Sequence, residues 1–160
     1  MNSNQISSIL GCVIGRNRFT GVFASDNLPA HISTFPAYLV VNTDPHNEPG
    51  QHWLAIIAHS REKLEYFDPF GEDPPPTTTT TTTTNGIAEF IRRFKNVHVN
   101  KIRIQASYEM SCGPHVIYYL SARSRGVPAS QIIKQLLSNN YRDTFVKFFV
   151  NSLYKKLKNI

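Results

Sequence analysis

Cysteine is scarce in this chain: of 160 residues only Cys12 and Cys112 carry a thiol. Two cysteines cannot build a disulfide framework, and the lack of a CxxC pair excludes a zinc ribbon. No apolar run approaches the roughly 20 residues that a membrane-spanning helix needs. The N-terminal MNSNQISSILGCVIGRNRF has no basic head before its short apolar stretch, so it does not read as a secretory signal. The expectation is a protein made and kept inside the cell, in a reducing compartment, neither secreted nor a membrane partner. Acidic residues are also few. Eleven Asp and Glu face 17 Lys and Arg, a formal net charge of +6. An excess of that sign suits a polyanion such as DNA, or a basic solvated surface with no specific partner.

What is present fits one domain of 1–160, with 41% apolar residues and enough length to bury a core. Ile6, Ile9, Leu10 and Val13 recur at helical spacing over 3–14, with Ser3 as a cap. Residues 15–29 are rich in turn formers and read as loop. AYLVVN from Ala37 is a buried strand; HWLAIIAH and KLEYFD, on either side of a short turn, form a hairpin. EDPPPTTTTTTTTNG (72–86) is low complexity and reads as an exposed loop. Ile87, Phe90, Ile91 and Phe94 mark a helix with Asn85 near its cap, and Lys101–Gln105 alternates as a strand. Ser111 caps a helix that ends before Gly126. Ile132, Ile133, Leu136 and Leu137 mark another, and Tyr141, Phe145, Phe149 and Leu153 the last. Strands in the middle with helices around them give an α+β domain, a central mixed sheet flanked by helices.

The chemistry concentrates in QASYEMSCGPHV, 105–116. Cys112 lies in the first turn of its helix, where unpaired amides favour a thiolate, and Gly113 lets a substrate approach the backbone. A small buried thiol is the alternative. A nucleophile needs a base. If the hairpin turn centres on Ser60–Arg61, Asp68 comes across from Trp53 and beside His52, within reach after normal twist or a small register shift. The pair is either an oriented base or a structural hydrogen bond. Gln105, seven residues before Cys112, could donate to an oxyanion together with the Cys112 N–H. His115, one turn into the same helix, faces away or packs. His46, His52, His59 and Cys112 offer no recognised metal-ligand spacing, so no metal is expected.

Taken together, HW at 52–53, the acid in YFDPFG (66–71), Gln105 and CG at 112–113 resemble the adenovirus endopeptidase family of cysteine proteases. Its broader relatives are the proteases of SUMO and ubiquitin-like proteins. VVNTDPHNEPGQHW (40–53) looks like the approach to the catalytic histidine in these viral enzymes and in Maverick/Polinton-type transposon proteases. The resemblance covers roughly residues 15–125; the last 35 match only as helices.

The resemblance implies a papain-like, ubiquitin-like-protease architecture with Cys112 as nucleophile, His52 as general base and then acid, Asp68 as orienting carboxylate and Gln105 as oxyanion donor. Trp53 would pack beside the histidine. Asp44 and Glu48 are alternatives for the acid, in a turn on the wrong side of His52. No cofactor is required for the chemistry. The implied substrate is a structural precursor protein of a virus or transposon, cut near small or Gly residues during particle maturation, in the host nucleus, the cytoplasm or the particle. Two rivals stand beside it: an isopeptidase for ubiquitin-like modifiers, and an inactive basic DNA-binding scaffold. Adenovirus enzymes are activated by DNA; Arg92, Arg93, Lys95, Lys101 and Arg103 would be its contacts here, with a solvated face as the alternative. They also use a disulfide-linked peptide. That is not expected here, because no cysteine lies between Cys12 and Cys112.

Overall fold

The computed structural model describes residues 1–76 and 85–158. Most of the low-complexity loop expected at 72–86 is the threonine tract, which lies outside the described residues. The elements run α1 (Ser3–Ile14), β1 (Phe19–Phe23), β2 (Ala37–Asn42), β3 (Trp53–Ala58), β4 (Lys63–Phe67), α2 (Gly86–Ile91), β5 (Asn96–Val99), α3 (Cys112–Ser124), α4 (Ala129–Leu137) and α5 (Arg142–Lys158). The strands form one sheet in the order β1-β2-β3-β4-β5. The outer pairs are parallel and the β2–β3 and β3–β4 pairs antiparallel, so the sheet is mixed as expected.

Alternation along the central strands sends side chains to two cores. Tyr38, Val40, Ala55, Ile57 and Phe67 join Ile6, Ile9, Val116, Ile117 and Leu120 beneath α1 and α3. Leu39, Val41, Leu54, Ile56 and Tyr66 point the other way, against Ile87, Phe90 and Ile91 of α2. Burial on both faces explains why β2 and β3 read as continuous apolar runs instead of alternating ones. Fully burying each such side chain contributes roughly 1.5–3 kcal/mol, so the two cores anchor the sheet whose end carries the site.

Several expectations are corrected. Residues 19–23 were expected as loop and form β1, an edge strand whose Gly21 and register shift weaken the apolar signal. The strand expected at Lys101–Gln105 lies earlier, as β5, parallel to β4. Its residues are largely exposed, so the pattern there is faint, while the Lys-Ile-Arg-Ile alternation belongs to an irregular segment. Asn2, not Ser3, caps α1: its side chain accepts from the Gln5 N–H while Gln5 reaches back. Tyr141 precedes α5 and is exposed; the buried seam of that helix runs through Val146 and Val150.

At one end of the sheet Glu65 is nearly buried among Arg123, Tyr119 and His59. It accepts from Arg123 Nε at 2.8 Å and Nη2 at 2.6 Å, Tyr119 Oη at 2.6 Å and His59 Nε2 at 2.9 Å. Burial alone would raise its pKa, but these donors, Arg123 first, hold it down to about 2. A carboxylate depressed in this way adds stability above the ordinary carboxylate range and loses it as pH falls through about 2. Arg123→Met strands the buried charge. We expect a loss of about 3 kcal/mol in denaturant unfolding and an acid transition at higher pH than wild type. An unchanged acid midpoint would show that this cluster does not stabilise the fold.

Candidate active site

Four side chains singled out in the sequence meet at the end of β3 and β4. His52 immediately precedes β3, Asp68 immediately follows β4, and Cys112 begins α3. The β3–β4 register pairs Ala55 with Phe67, one residue from the register read off the sequence. That offset carries Asp68 one residue further from His52, level with Leu54, so the contact is made by the two side chains beyond the paired residues and not by a register shift. His52 Nε2 lies 2.7 Å from Asp68 Oδ1, in a pocket where Asp68 is almost wholly buried. With Nε2 committed to Asp68, Nδ1 is the ring nitrogen left for Cys112.

The electrostatics follow from this contact. Burial by itself disfavours the imidazolium, but the hydrogen bonds to Asp68 and then to Cys112 outweigh it and raise His52 to about 9. Burial likewise opposes the Cys112 thiolate. The hydrogen bond with His52, backbone hydrogen bonds at Trp53 and Gly113, and the imidazolium charge together bring the thiol below its ordinary value. One partner rises and the other falls, the directions that favour a thiolate beside an imidazolium.

Asp68 is held from several sides. Its carboxylate also accepts from the Phe70 N–H at 2.7 Å. Its main chain pairs with the side chain of Asn100, whose Oδ1 accepts from the Asp68 N–H at 2.7 Å and whose Nδ2 donates to the Asp68 carbonyl at 2.8 Å. The Gly71 N–H closes the turn onto the Asp68 carbonyl at 2.8 Å. Phe70 stacks on the His52 ring, centroids 4.7 Å apart and planes 18° apart. The next residue back, Pro69, accepts from both Ile104 and Gln105 N–H groups at 2.9 Å, so the turn that places the acid also places Gln105.

The second anchor is the start of α5. Asp143 accepts from Ser111 Oγ, from His115 Nε2 at 3.0 Å and from the Ala106 N–H at 3.4 Å, while Arg142 donates to the Ile104 carbonyl and Lys147 pairs with Glu109. Ser111 stands at the N-cap position, but its hydroxyl goes to Asp143 and does not cap α3. That corrects the expected cap and leaves the first-turn amides of α3 free beside Cys112. His115 is buried and packs, as expected. Gln105 is buried; its Nε2 donates to the Glu109 carbonyl, and one N–H of that amide remains for the cleft. Trp53 lies against Gly113: a Cβ placed there would sit 3.4 Å from Trp53 Cδ1. A cleft of about 330 Å³ is lined by His52, Trp53, Gln105, Cys112 and Gly113 together with Met110.

Other expected residues lie elsewhere. Asp44 and Glu48 make no hydrogen bond to His52 among the described residues. The five basic positions are exposed and none lines the cleft itself, though the Arg103 guanidinium lies 4.7 Å over the ring of Phe70, which does. Lys101 pairs with Asp73 at 3.1 Å and Arg103 approaches Glu72 at 4.0 Å, so part of their charge is offset. Arg93 is engaged by the Pro29 and Ala30 carbonyls, both at 3.0 Å. Among the described residues no His/Cys/Asp/Glu group is arranged to hold a metal ion, and no helix is long and apolar enough to cross a membrane. Sequence reading missed Asn100 and Asp143. Neither stands in a motif, and their partners are 28 to 37 residues distant. Phe70 was legible, since its motif was already singled out.

No family model matches the chain. It is 30% identical over 105 residues to a protein named as a cysteine protease of African swine fever virus, from the Tick/Malawi isolate. It is 29% identical over 105 residues to one named as a SUMO-1 cysteine protease of the Warthog/Namibia isolate of that virus. Each match covers 62% of this chain, and the chain spans 38% of the length of those relatives. A crystal structure of the African swine fever virus protease superimposes with a TM-score of 0.53 at 18% identity, covering 89% of this chain and 66% of that one. That likeness shows the fold: α+β, with a mixed five-stranded sheet, of the ubiquitin-like-protease type. The similarity is to the African swine fever virus proteases and does not single out the adenovirus endopeptidases.

Gly71 has φ +69°, and a Cβ there would lie 2.5 Å from the Ile102 carbonyl carbon and 2.6 Å from Arg103 N. Gly71→Ala should therefore lower stability by about 1–3 kcal/mol and slow alkylation of Cys112, because it displaces both Asp68 and the approach to Gln105. Gly11→Ala, in α1 with open space around it, should stabilise by roughly 0.5–1 kcal/mol and leave alkylation unchanged. Equal effects at the two glycines would contradict the role given to the turn.

Proposed function

We propose that the chain is one cysteine endopeptidase domain. The observation that carries this reading is the buried His52–Asp68 hydrogen bond of 2.7 Å next to a thiol whose pKa is lowered by that histidine. The relatives' names support it, as does their fold.

In the proposed reaction the Cys112 thiolate attacks the scissile carbonyl carbon and a C–S bond forms. The carbonyl oxygen becomes an oxyanion that Gln105 Nε2 and the Cys112 N–H stabilise, each such donor contributing about 10²–10³ in rate. As the intermediate collapses the C–N bond breaks, and the His52 imidazolium gives its Nδ1 proton to the leaving amine. The neutral imidazole then takes a proton from water, whose oxygen attacks the thioester; the acid product leaves and the thiolate–imidazolium pair is restored. Asp68 accepts the Nε2 hydrogen bond throughout and holds the ring in place. Trp53 and Gly113 narrow the cleft, which suits small or Gly residues at the scissile bond. Structural precursor proteins of a virus or transposon are the substrates this reading favours.

A second reading, removal of a ubiquitin-like modifier, is favoured by the SUMO-1 in the name of one relative. DNA as activator rests on the +6 charge and on exposed Arg92 and Lys95. This reading places the enzyme inside the host cell or the particle.

The test is covalent labelling with a peptide vinyl sulfone ending in Gly. Wild type should react at neutral pH, His52→Ala about 10² more slowly or worse, and Cys112→Ser not at all. Labelling indifferent to His52 would sink the proposal. Cleavage of Gly-containing precursor peptides against modifier conjugates, each with and without DNA, separates the two substrates and shows whether DNA activates.

A further inference from the structure

The catalytic cleft continues into a second cavity of about 370 Å³; the two share Met1, Gly50 and Trp53 along their common wall. This cavity lies at the end of β2, and three of its features point to a ligand. Asn42 is 6% exposed, yet its side chain faces the cavity. Its Oδ1 accepts from the Asp44 N–H at 2.9 Å, which leaves the Nδ2 donors uncommitted. Gly50, with φ +81°, keeps that amide clear: a Cβ at 50 would lie 2.8 Å from Asn42 Nδ2. Asp44 Oδ2 is buried and lacks a hydrogen-bond partner. A donor and an acceptor, both unused, therefore stand two residues apart next to the cleft that holds Cys112, and buried polar atoms ordinarily have partners.

Asp44 and Glu48 are the carboxylates that line this cavity, and Met1, which carries the amino terminus, lines it too. Seventeen Lys and Arg are present in the chain, but none lines this cavity. Glu48 is exposed on the same wall, and His46 is drawn to Asp26, Nδ1 to Oδ2, at 2.6 Å. Resting on the proteolytic reading, we infer that this cavity is a substrate subsite for an extended peptide segment bearing a basic side chain. Asn42 Nδ2 donates to a main-chain carbonyl of the substrate, and Asp44 and Glu48 receive its Lys or Arg. The subsite selects substrates by residues beyond the scissile bond, independently of the narrow passage at Trp53 and Gly113.

Binding to the full chain carrying Cys112→Ala tests this without turnover. Gly-containing peptides identical except for Lys, norleucine or Glu, scanned position by position, are titrated calorimetrically. At one position Lys should bind about tenfold more tightly than Glu, and Asp44→Asn with Glu48→Gln should erase the difference. Asn42→Asp keeps the acceptor for the Asp44 N–H but removes the donor, and should weaken the norleucine peptide about fivefold. Equal affinity for Lys and Glu peptides at every position, or no peptide binding, would overturn the subsite. A Lys preference in a chain whose wild-type Cys112 proves inert would count against the protease reading and leave the subsite standing.

Discussion

The structure depends on where one carboxylate sits. Asp68 gives a single oxygen to both the His52 ring and the Phe70 N–H, each at 2.7 Å, in a place from which water is excluded. In bulk water such a contact would contribute little. With its surroundings desolvated it is strong enough to outweigh the burial that disfavours a charged imidazole. Once His52 is held as imidazolium, the Cys112 thiol loses its proton more readily, and a weak nucleophile becomes a strong one. Take away the fixed position of Asp68 and each of these consequences goes with it.

Two anchors supply that position. The Asp68–Gly71 turn, backed by Asn100, sets the acid and, through the Pro69 carbonyl, the approach to Gln105. The start of α5 sets the other half, with Asp143 joining the residue after Gln105 to the residue before Cys112. The sheet contributes rigidity between them: β3 and β4 are buried on both faces, so the hairpin end that carries His52 and Asp68 cannot shift without moving two cores. Reactive groups on irregular segments are thereby held as firmly as groups on regular elements.

Much of the site was legible because its residues sit in local patterns. Cys112 opens a helix, His52 and Asp68 flank a hairpin, and Gln105 stands a fixed step ahead of Cys112; each of these is a statement about neighbours in sequence. The two central strands were legible because they are strongly apolar. What escaped was set by distant contacts. β1 and β5 are short edge strands with little to bury, and the Lys101–Gln105 alternation imitated a strand because Ile104 is buried while Ile102 is not. Ser111 had the residue type of a cap, but a carboxylate on another helix claimed its hydroxyl. Asn100 and Asp143 are invisible as motifs, since an amide or acid acquires its meaning only when the chain brings its partners to it.

On the proposed reading, His52 eases the ionisation of Cys112. Ultraviolet thiolate absorbance across pH, in wild type and in His52→Ala, tests it most directly, with Cys112→Ser as the blank. The wild-type thiol should ionise below the ordinary value, and its titration should move up when His52 is lost. Superimposable titrations in the two proteins would contradict it.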